Sequence, residues 1–428
     1  MNDTSNQDVD VAIIGGGFAG MNTARLLAKK GINCKIIDAG NGASNFWLGT
    51  VDVLNYPGDN LILELAKFQV SLPAHPYSHI SMEILQKSLQ EFYESFPTFS
   101  SFQDSNAEVC NGHVLTSLGN TKLTTGKWNT IFSNFGKLTE ESVCLLINFQ
   151  EFTNSPMALI AKGLEEKFQG QFLVLTVSLR QLFQQMNADL MDNMKKQVIS
   201  VKTIAKFFDE KAIHMSPLAT LIKSNFATKF PEIDWKKISL VLFPPIMGIE
   251  NCPTIFTHLS SHLGIECFET VALTPSIMAE RFLRQFQRKI QVLAIPFAKK
   301  TKMVDLTKND SEWIVHLVDS HGNTQKLKTK YIVIAVGSLF TQGLFSESYE
   351  LGNKFHQLEL DFPDSIDSNY EIISTTQKSN IFVVGASNYL FSTDLSEEDE
   401  VRDGTGLGVA IATSFKVAEV IQARIKEN

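Results

Sequence analysis

The stretch that most narrows what this chain can become is Val9-Asp10-Val11-Ala12-Ile13-Ile14-Gly15-Gly16-Gly17-Phe18-Ala19-Gly20. An apolar run with strand character leads directly into Gly15-x-Gly17-x-x-Gly20. A helical pattern follows, with Met21, Ala24, Leu27 and Ala28 on one side. A second apolar run, Cys34 to Ile37, closes on Asp38 and Ala39. Gly15 permits the tight turn out of the strand, Gly17 lets backbone approach a pyrophosphate, and Gly20 lets the helix lie close on the strand. The helix N-terminus presents free N–H groups and its positive dipole end to the phosphates. Asp38 stands 18 residues after Gly20, where a carboxylate binds a ribose 2′-hydroxyl. Three glycines alone are a weak signal. Strand, turn, helix, strand and acid in this order predict a dinucleotide-binding, Rossmann-like domain with a central parallel sheet. Phe18, Ala19 and Ala39 share these turns and join the candidate cofactor contacts. The plain alternative is a βαβ unit with a glycine turn and a surface Asp38.

A chain of 428 residues, 44% hydrophobic and 20% charged, has material for two or three domains. A net charge of −8 argues against a nucleic-acid binder. The sequence has no apolar run of about 18 residues, the length a membrane helix needs. Residues 1–8 lack the basic start of a secretory signal. A cytoplasmic protein is expected, at the membrane only through partners. The five cysteines, Cys34, Cys110, Cys144, Cys252 and Cys267, show no CxxC spacing, so buried free thiols are expected and no metal site.

After Asp38, residues 40–52 form a glycine- and amide-rich loop that turns apolar around Gly49. It fits either a segment running past a cofactor or an exposed loop. Pro73-Ala74-His75-Pro76-Tyr77 predicts a rigid extended turn. Residues 81–96 read as a helix and 97–136 as short strands. A second α/β region opens at Val143–Phe149 and continues through 172–177 and 238–243, with helices between. Thr274-Pro275-Ser276 reads as a helix start, with Pro275 suited to the first turn, and on that helix Arg281, Arg284 and Arg288 share a face. That face fits an anion site or, more simply, a solvated basic surface. Strands follow at 313–318, at 331–337 ending in Gly337, and at 380–386 ending in Gly385-Ala386. Gly404-Thr405-Gly406-Leu407-Gly408 opens a last apolar helix, a second glycine-led helix start that in FAD folds points at the flavin ring or ribityl chain.

These segments together resemble the B-type subunit of the anaerobic glycerol-3-phosphate dehydrogenases. The resemblance runs through the N-terminal fingerprint, Gly49-Thr50-Val51-Asp52-Val53-Leu54, Pro73 to Ser78, Pro244 to Gly248, Pro275-Ser276 to Arg281, Val336 to Phe340 and the C-terminal glycine–helix unit. It implies a flavoprotein subunit that oxidises sn-glycerol 3-phosphate to dihydroxyacetone phosphate. A second flavoprotein subunit and an iron–sulfur subunit then pass the electrons to quinone at the inner membrane face. The resemblance implies FMN as the usual cofactor. Asp38 and the pyrophosphate turn favour FAD, since FMN has no adenosine ribose. Small serines in the family are replaced here by Trp47-Leu48. A cysteine-containing glycine stretch is replaced by 404–408, and 396–400 is acidic.

From these residues the expected site has His75 as base and Arg281 as phosphate ligand. The cofactor contacts are Gly15, Gly17, Phe18, Ala19, Gly20, Asp38, Ala39, Gly49, Gly337, Gly385, Gly404, Gly406 and Gly408. The expected division is an FAD-binding domain of residues 1–72 and 330–428 around an inserted α/β substrate or partner domain, 73–329. Two alternatives stand beside this: an FAD-dependent oxidoreductase of another small polar substrate, and a non-catalytic flavin-fold partner.

Overall fold

The computed structural model describes residues 8–40, 42–54, 61–73, 75–152, 155–186, 199–271, 276–309, 311–337, 366–373, 378–391 and 406–427. The chain opens with β1 (Val9–Ile14), α1 (Phe18–Lys29) and β2 (Cys34–Asp38). Then come β3 (Thr50–Val51), α2 (Leu61–Ser71), α3 (Met82–Ser95), β4 (Phe99–Gln103), β5 (Val109–Cys110), β6 (Gly112–Leu115), β7 (Thr121–Thr124) and β8 (Gly126–Trp128). The middle of the chain holds β9 (Val143–Phe149), α4 (Met157–Glu165), β10 (Gln171–Val177), α5 (Leu179–Gln185), α6 (Val201–Glu210), α7 (Ser216–Lys229), β11 (Ile238–Phe243), α8 (Cys252–Leu263) and β12 (Cys267–Glu269). Last are α9 (Ile277–Val292), β13 (Phe297–Lys299), β14 (Thr301–Asn309), β15 (Glu312–Asp319), β16 (Thr324–Ile334), β17 (Ile381–Val383) and α10 (Leu407–Glu427).

The first sheet runs β13-β2-β1-β16, with β17 also on β16, all parallel, and the antiparallel β14–β15 pair on the first half of β16. Apart from Asp10, β1 is apolar because both its faces are covered. Val11 and Ile13 enter the core with Met21 of α1, Phe282 of α9 and Ala410 of α10, while Ala12 and Ile14 meet Trp313 and Val315 on the other side. Ile14 is in register with Ile37 of β2 and Ile334 of β16. Their C-terminal ends therefore fall on one edge, where an open parallel sheet takes its ligand. A second, wholly parallel sheet, β10-β9-β11-β12, carries its own core with α5 to α8. A third, β3-β8-β4-β5, is antiparallel.

The α/β class with a parallel nucleotide-type sheet is as the sequence predicts, and the strands 143–149 and 238–243 fall where their apolar runs lie. The border at 329/330 does not follow the sheets. Residues 297–329 supply β13, β14, β15 and part of β16 to the first sheet, whereas the second parallel sheet spans 143–269. We propose that the unit border follows the strand pairing and lies upstream of Phe297. Among the described residues no helix is long and apolar enough to cross a membrane. All five cysteines are free, four of them buried and Cys110 half-buried.

Candidate cofactor site

At the shared C-terminal edge of β1, β2 and β16, the glycines do what their spacing requires. Gly15 takes φ +116°, and a Cβ there would collide with the Ala335 carbonyl at the end of β16. A Cβ on Gly20 would collide with the Gly15 carbonyl, so only glycine lets α1 start this close to β1. Gly17 precedes α1 in extended conformation and caps it with no side chain. The first-turn N–H groups therefore receive no cap from the residue that opens the helix. Asp38, half-buried, accepts from Gly16 N at 3.2 Å, which sets its carboxylate beside the turn. Ala39 is exposed just beyond. Gly337 donates to Ser387 Oγ at 2.9 Å, and Gly385 donates to Thr413 Oγ1 of α10 at 2.8 Å. A Cβ on Gly385 would press on Ala19 at 2.7 Å. So Gly15, Gly17, Ala19, Gly20, Asp38, Gly337 and Gly385 converge around one helix start.

Phe18 contributes its backbone alone. Its ring is buried against Trp47, Phe282 and Phe286, with the Phe282 centroid at 4.6 Å. Its N–H donates to Ser44 Oγ at 3.0 Å. Ser44 therefore stands at the helix start, and the 40–52 loop runs past the nucleotide turn rather than away from it. Gly49, at φ +109°, serves packing: it lies against Ile131 and Met278 and its carbonyl takes Trp128 N–H.

The loop leads on to a second helix start. Asp52 O accepts from Gly408 N at 3.0 Å, and a Cβ on Gly406 would lie 3.4 Å from Asp52 Cβ. The Asp52 carboxylate accepts from Thr50 Oγ1 at 3.1 Å and from Lys122 Nζ at 2.7 Å, both on Oδ2; its buried Oδ1 has no hydrogen-bond partner. The first turn of α10 thus meets Asp52, whose carboxylate Thr50 and Lys122 hold. Gly404 and the acidic 396–400 run lie outside the described residues.

Two expected roles change. His75 is 1% exposed, packed edge-on to Phe68, and its Nδ1 accepts from Tyr77 N at 3.0 Å. It caps the turn Pro76–His79, so that nitrogen is engaged by backbone, and we propose a structural role for it. Arg281 is fully buried. Its Nε donates to Gly248 O at 2.7 Å and its Nη atoms to Glu269 at 2.6 and 3.2 Å. With these donors committed to protein atoms, we propose that it is a structural tie rather than a phosphate ligand. Nor do the three arginines form one solvated face: Arg284 bonds Glu250 at 2.6 Å and Glu280 at 2.8 Å, and Arg288 pairs with Glu250. The sequence reading missed Ser44, Ser387 and Thr413, lone hydroxyls that carry no spacing signature until the strand ends are brought together.

Comparison with known proteins supports FAD as the cofactor. Residues 10–229 match the family model described as FAD binding domain. The chain is 23% identical to the B-type subunit of the anaerobic glycerol-3-phosphate dehydrogenase of Actinobacillus pleuropneumoniae serotype 5b, over 96% of this chain and 98% of that one. It is 25% identical to the protein of the same name from Haemophilus influenzae, over 79% and 77% of the two chains. Among solved structures, a flavoprotein/dehydrogenase from Cytophaga hutchinsonii matches 84% of this chain at 9% identity and a TM-score of 0.27; the match spans 44% of that longer chain.

Proposed function

Because the chain belongs to the FAD binding domain family, we propose that it is the flavoprotein subunit of a glycerol-3-phosphate dehydrogenase, oxidising sn-glycerol 3-phosphate to dihydroxyacetone phosphate. That it is a flavin-dependent oxidoreductase follows from the family, and its cofactor is FAD. The observation carrying the finer reading is a similarity to the Actinobacillus dehydrogenase protein that runs through 96% of the chain, the middle unit included. In the same reading the chain works within an assembly whose other subunits, a second flavoprotein and an iron–sulfur protein, lead electrons to quinone.

The residues fit FAD. In this reading the glycine turn Gly15–Gly20 meets the pyrophosphate and Asp38 the adenosine ribose. In the same reading the glycine-led start of α10 lies towards the ring end. FAD supplies two-electron oxidation, taking the hydrogen and electron pair from a carbinol carbon. The protein's part is to hold the alcohol and receive its hydroxyl proton. In place of His75, the carboxylate next to the α10 turn is Asp52, steadied by Lys122 and Thr50 through one oxygen.

The test is anaerobic addition of sn-glycerol 3-phosphate to the purified yellow protein. Bleaching of the flavin band is expected. Colour without bleaching points to another small polar substrate; a protein that takes up no flavin points to a non-catalytic partner.

A further inference from the structure

Asn388 is 5% exposed, and the two polar atoms of its amide fare differently. Nδ2 donates to Gly385 O at 2.9 Å, whereas Oδ1 is buried and has no hydrogen-bond partner. Turning the amide over would set its oxygen against the Gly385 carbonyl, so Oδ1 is fixed as the atom left over. The neighbouring groups of the same turn are satisfied. Ser387 Oγ accepts from Gly337 N at 2.9 Å, and Gly385 N donates to Thr413 Oγ1 at 2.8 Å. A buried acceptor without a donor raises the energy of the fold until a donor meets it.

The turn that carries Asn388 stands at the ligand edge of the first sheet. β17 runs parallel to β16 with Val383 opposite Ile334, which is itself level with Ile14 of β1. Gly385 therefore follows the end of β17 where Gly15 follows the end of β1. A Cβ on Gly385 would lie 2.7 Å from Ala19 Cβ, in the first turn of α1, and 3.8 Å from Ala410 Cβ, in the first turn of α10. Ser414 Oγ of α10 closes the same corner by donating to Ala19 O at 3.0 Å. Asn388 is thus tied by its amide nitrogen to the residue that lies between the two helix starts. In FAD the diphosphate and the ring are joined by the ribityl chain, whose hydroxyl groups can donate hydrogen bonds. With the diphosphate at the start of α1 and the ring towards the start of α10, the part of FAD that passes between them is that chain.

We propose that Asn388 is a cofactor-binding residue whose Oδ1 accepts a hydrogen bond from a hydroxyl of the ribityl chain of FAD. The choice of the ribityl chain rests on the placing of the two ends of FAD in the function proposed above.

The test titrates the apoprotein, wild type and Asn388→Leu, with FAD, with ADP and with FAD analogues that lack the 2′-, 3′- or 4′-hydroxyl of the ribityl chain. Affinities are read from flavin fluorescence, that of ADP by competition with FAD. One analogue should bind the wild type about tenfold more weakly than FAD does, the upper end of what one neutral hydrogen bond contributes. Asn388→Leu should bind FAD about tenfold more weakly than the wild type, should not distinguish that analogue from FAD, and should bind ADP as the wild type does. Equal wild-type affinity for FAD and every analogue overturns the proposal. So does an Asn388→Leu protein that keeps the wild-type affinity for FAD or the wild-type preference, whatever its melting temperature, since the amide would then serve the fold alone. ADP weakened as much as FAD overturns the ribityl assignment through the placing of the two FAD ends, because Asn388 would then lie on the adenosine side. Should Asn388→Leu not fold, Asn388→Ala carries the same expectations, and the analogue series on the wild type stands by itself.

Discussion

Arg281 Nη1 lies 2.6 Å from Glu269 Oε1, and neither side chain reaches solvent. Glu269 ends the second parallel sheet, and its backbone bonds Thr130 O and Phe132 N. Arg281 sits on α9, whose Phe282 packs on Phe18 at the nucleotide turn. The pair thus joins the second unit to the cofactor unit. Thr130 Oγ1 and Cys252 Sγ also reach Glu269 Oε1, the thiol at 3.3 Å, so the carboxylate is well satisfied.

Arg281→Ala leaves Glu269 charged in a dry site, and breaking a buried pair costs about 3–5 kcal/mol. Urea unfolding should show a loss of that size. The double change Arg281→Met with Glu269→Leu should recover much of it, because no charge remains buried. A phosphate ligand would behave otherwise: Arg281→Ala would raise KM for the substrate with little change in the unfolding midpoint.

A second buried guanidinium governs acid stability. Arg25 of α1 donates to both oxygens of Glu91 on α3 at 2.6 Å, and Lys29 adds a bond at 2.7 Å. Burial alone would push the Glu91 carboxyl up, but Arg25 and then Lys29 outweigh it and hold it at about 2. The unfolded chain binds that proton near the ordinary value of about 4.3. Its share of stability is therefore full above pH 5 and is lost as pH falls towards 2, on the order of 2–3 kcal/mol. Glu91→Gln should flatten this part of the unfolding free energy between pH 5 and 2.5. An unchanged slope would remove Glu91 from the account.

How far the sequence spoke can be argued from particular residues. Elements with a clear period, such as Val143–Phe149 and α3, were readable because one pattern fits one covering of faces. The turn Gly15–Gly20 was readable because sterics at each glycine are local. His75 and Arg281 were not. Their segments sit in distinctive surroundings, but distinctive residues also arise from packing. A buried Arg281 needs Glu269 and Gly248, partners 12 and 33 residues away that no local pattern announces.

Asp38 offers a way to separate FAD from FMN by affinity. Its carboxylate is fixed beside Gly16 N, and a bond to the adenosine ribose is worth about 1–3 kcal/mol when one partner is charged. Asp38→Ala should weaken FAD by about tenfold or more in reconstitution of the apoprotein, and should leave any binding of FMN unaltered. Equal affinity of wild type and variant for FAD would take Asp38 out of the site.

Gly17 and Gly20 belong to one motif, yet their replacements should fail in different ways. At Gly17 the backbone has φ −75°, ordinary for alanine, and a Cβ would meet Ser44 Oγ alone, at 3.1 Å. The serine can shift by a few tenths of an ångström, so Gly17→Ala should fold with a stability change of about 1 kcal/mol or less. The added methyl nonetheless sits on the face where the pyrophosphate must come close to backbone, so FAD retention should drop. At Gly20 the obstacle is the Gly15 carbonyl itself, part of the turn that carries the chain from β1 to α1. Backbone cannot step aside without lifting α1 from β1 and from the Ala335 edge of β16. Gly20→Ala should therefore lose about 3 kcal/mol or more, in the range of severe overpacking. Thermal melts without added flavin distinguish the two. Gly17→Ala should melt near the wild type and stay colourless, and Gly20→Ala should melt far lower. A Gly17→Ala protein that keeps its FAD would show that the pyrophosphate does not pass over this turn.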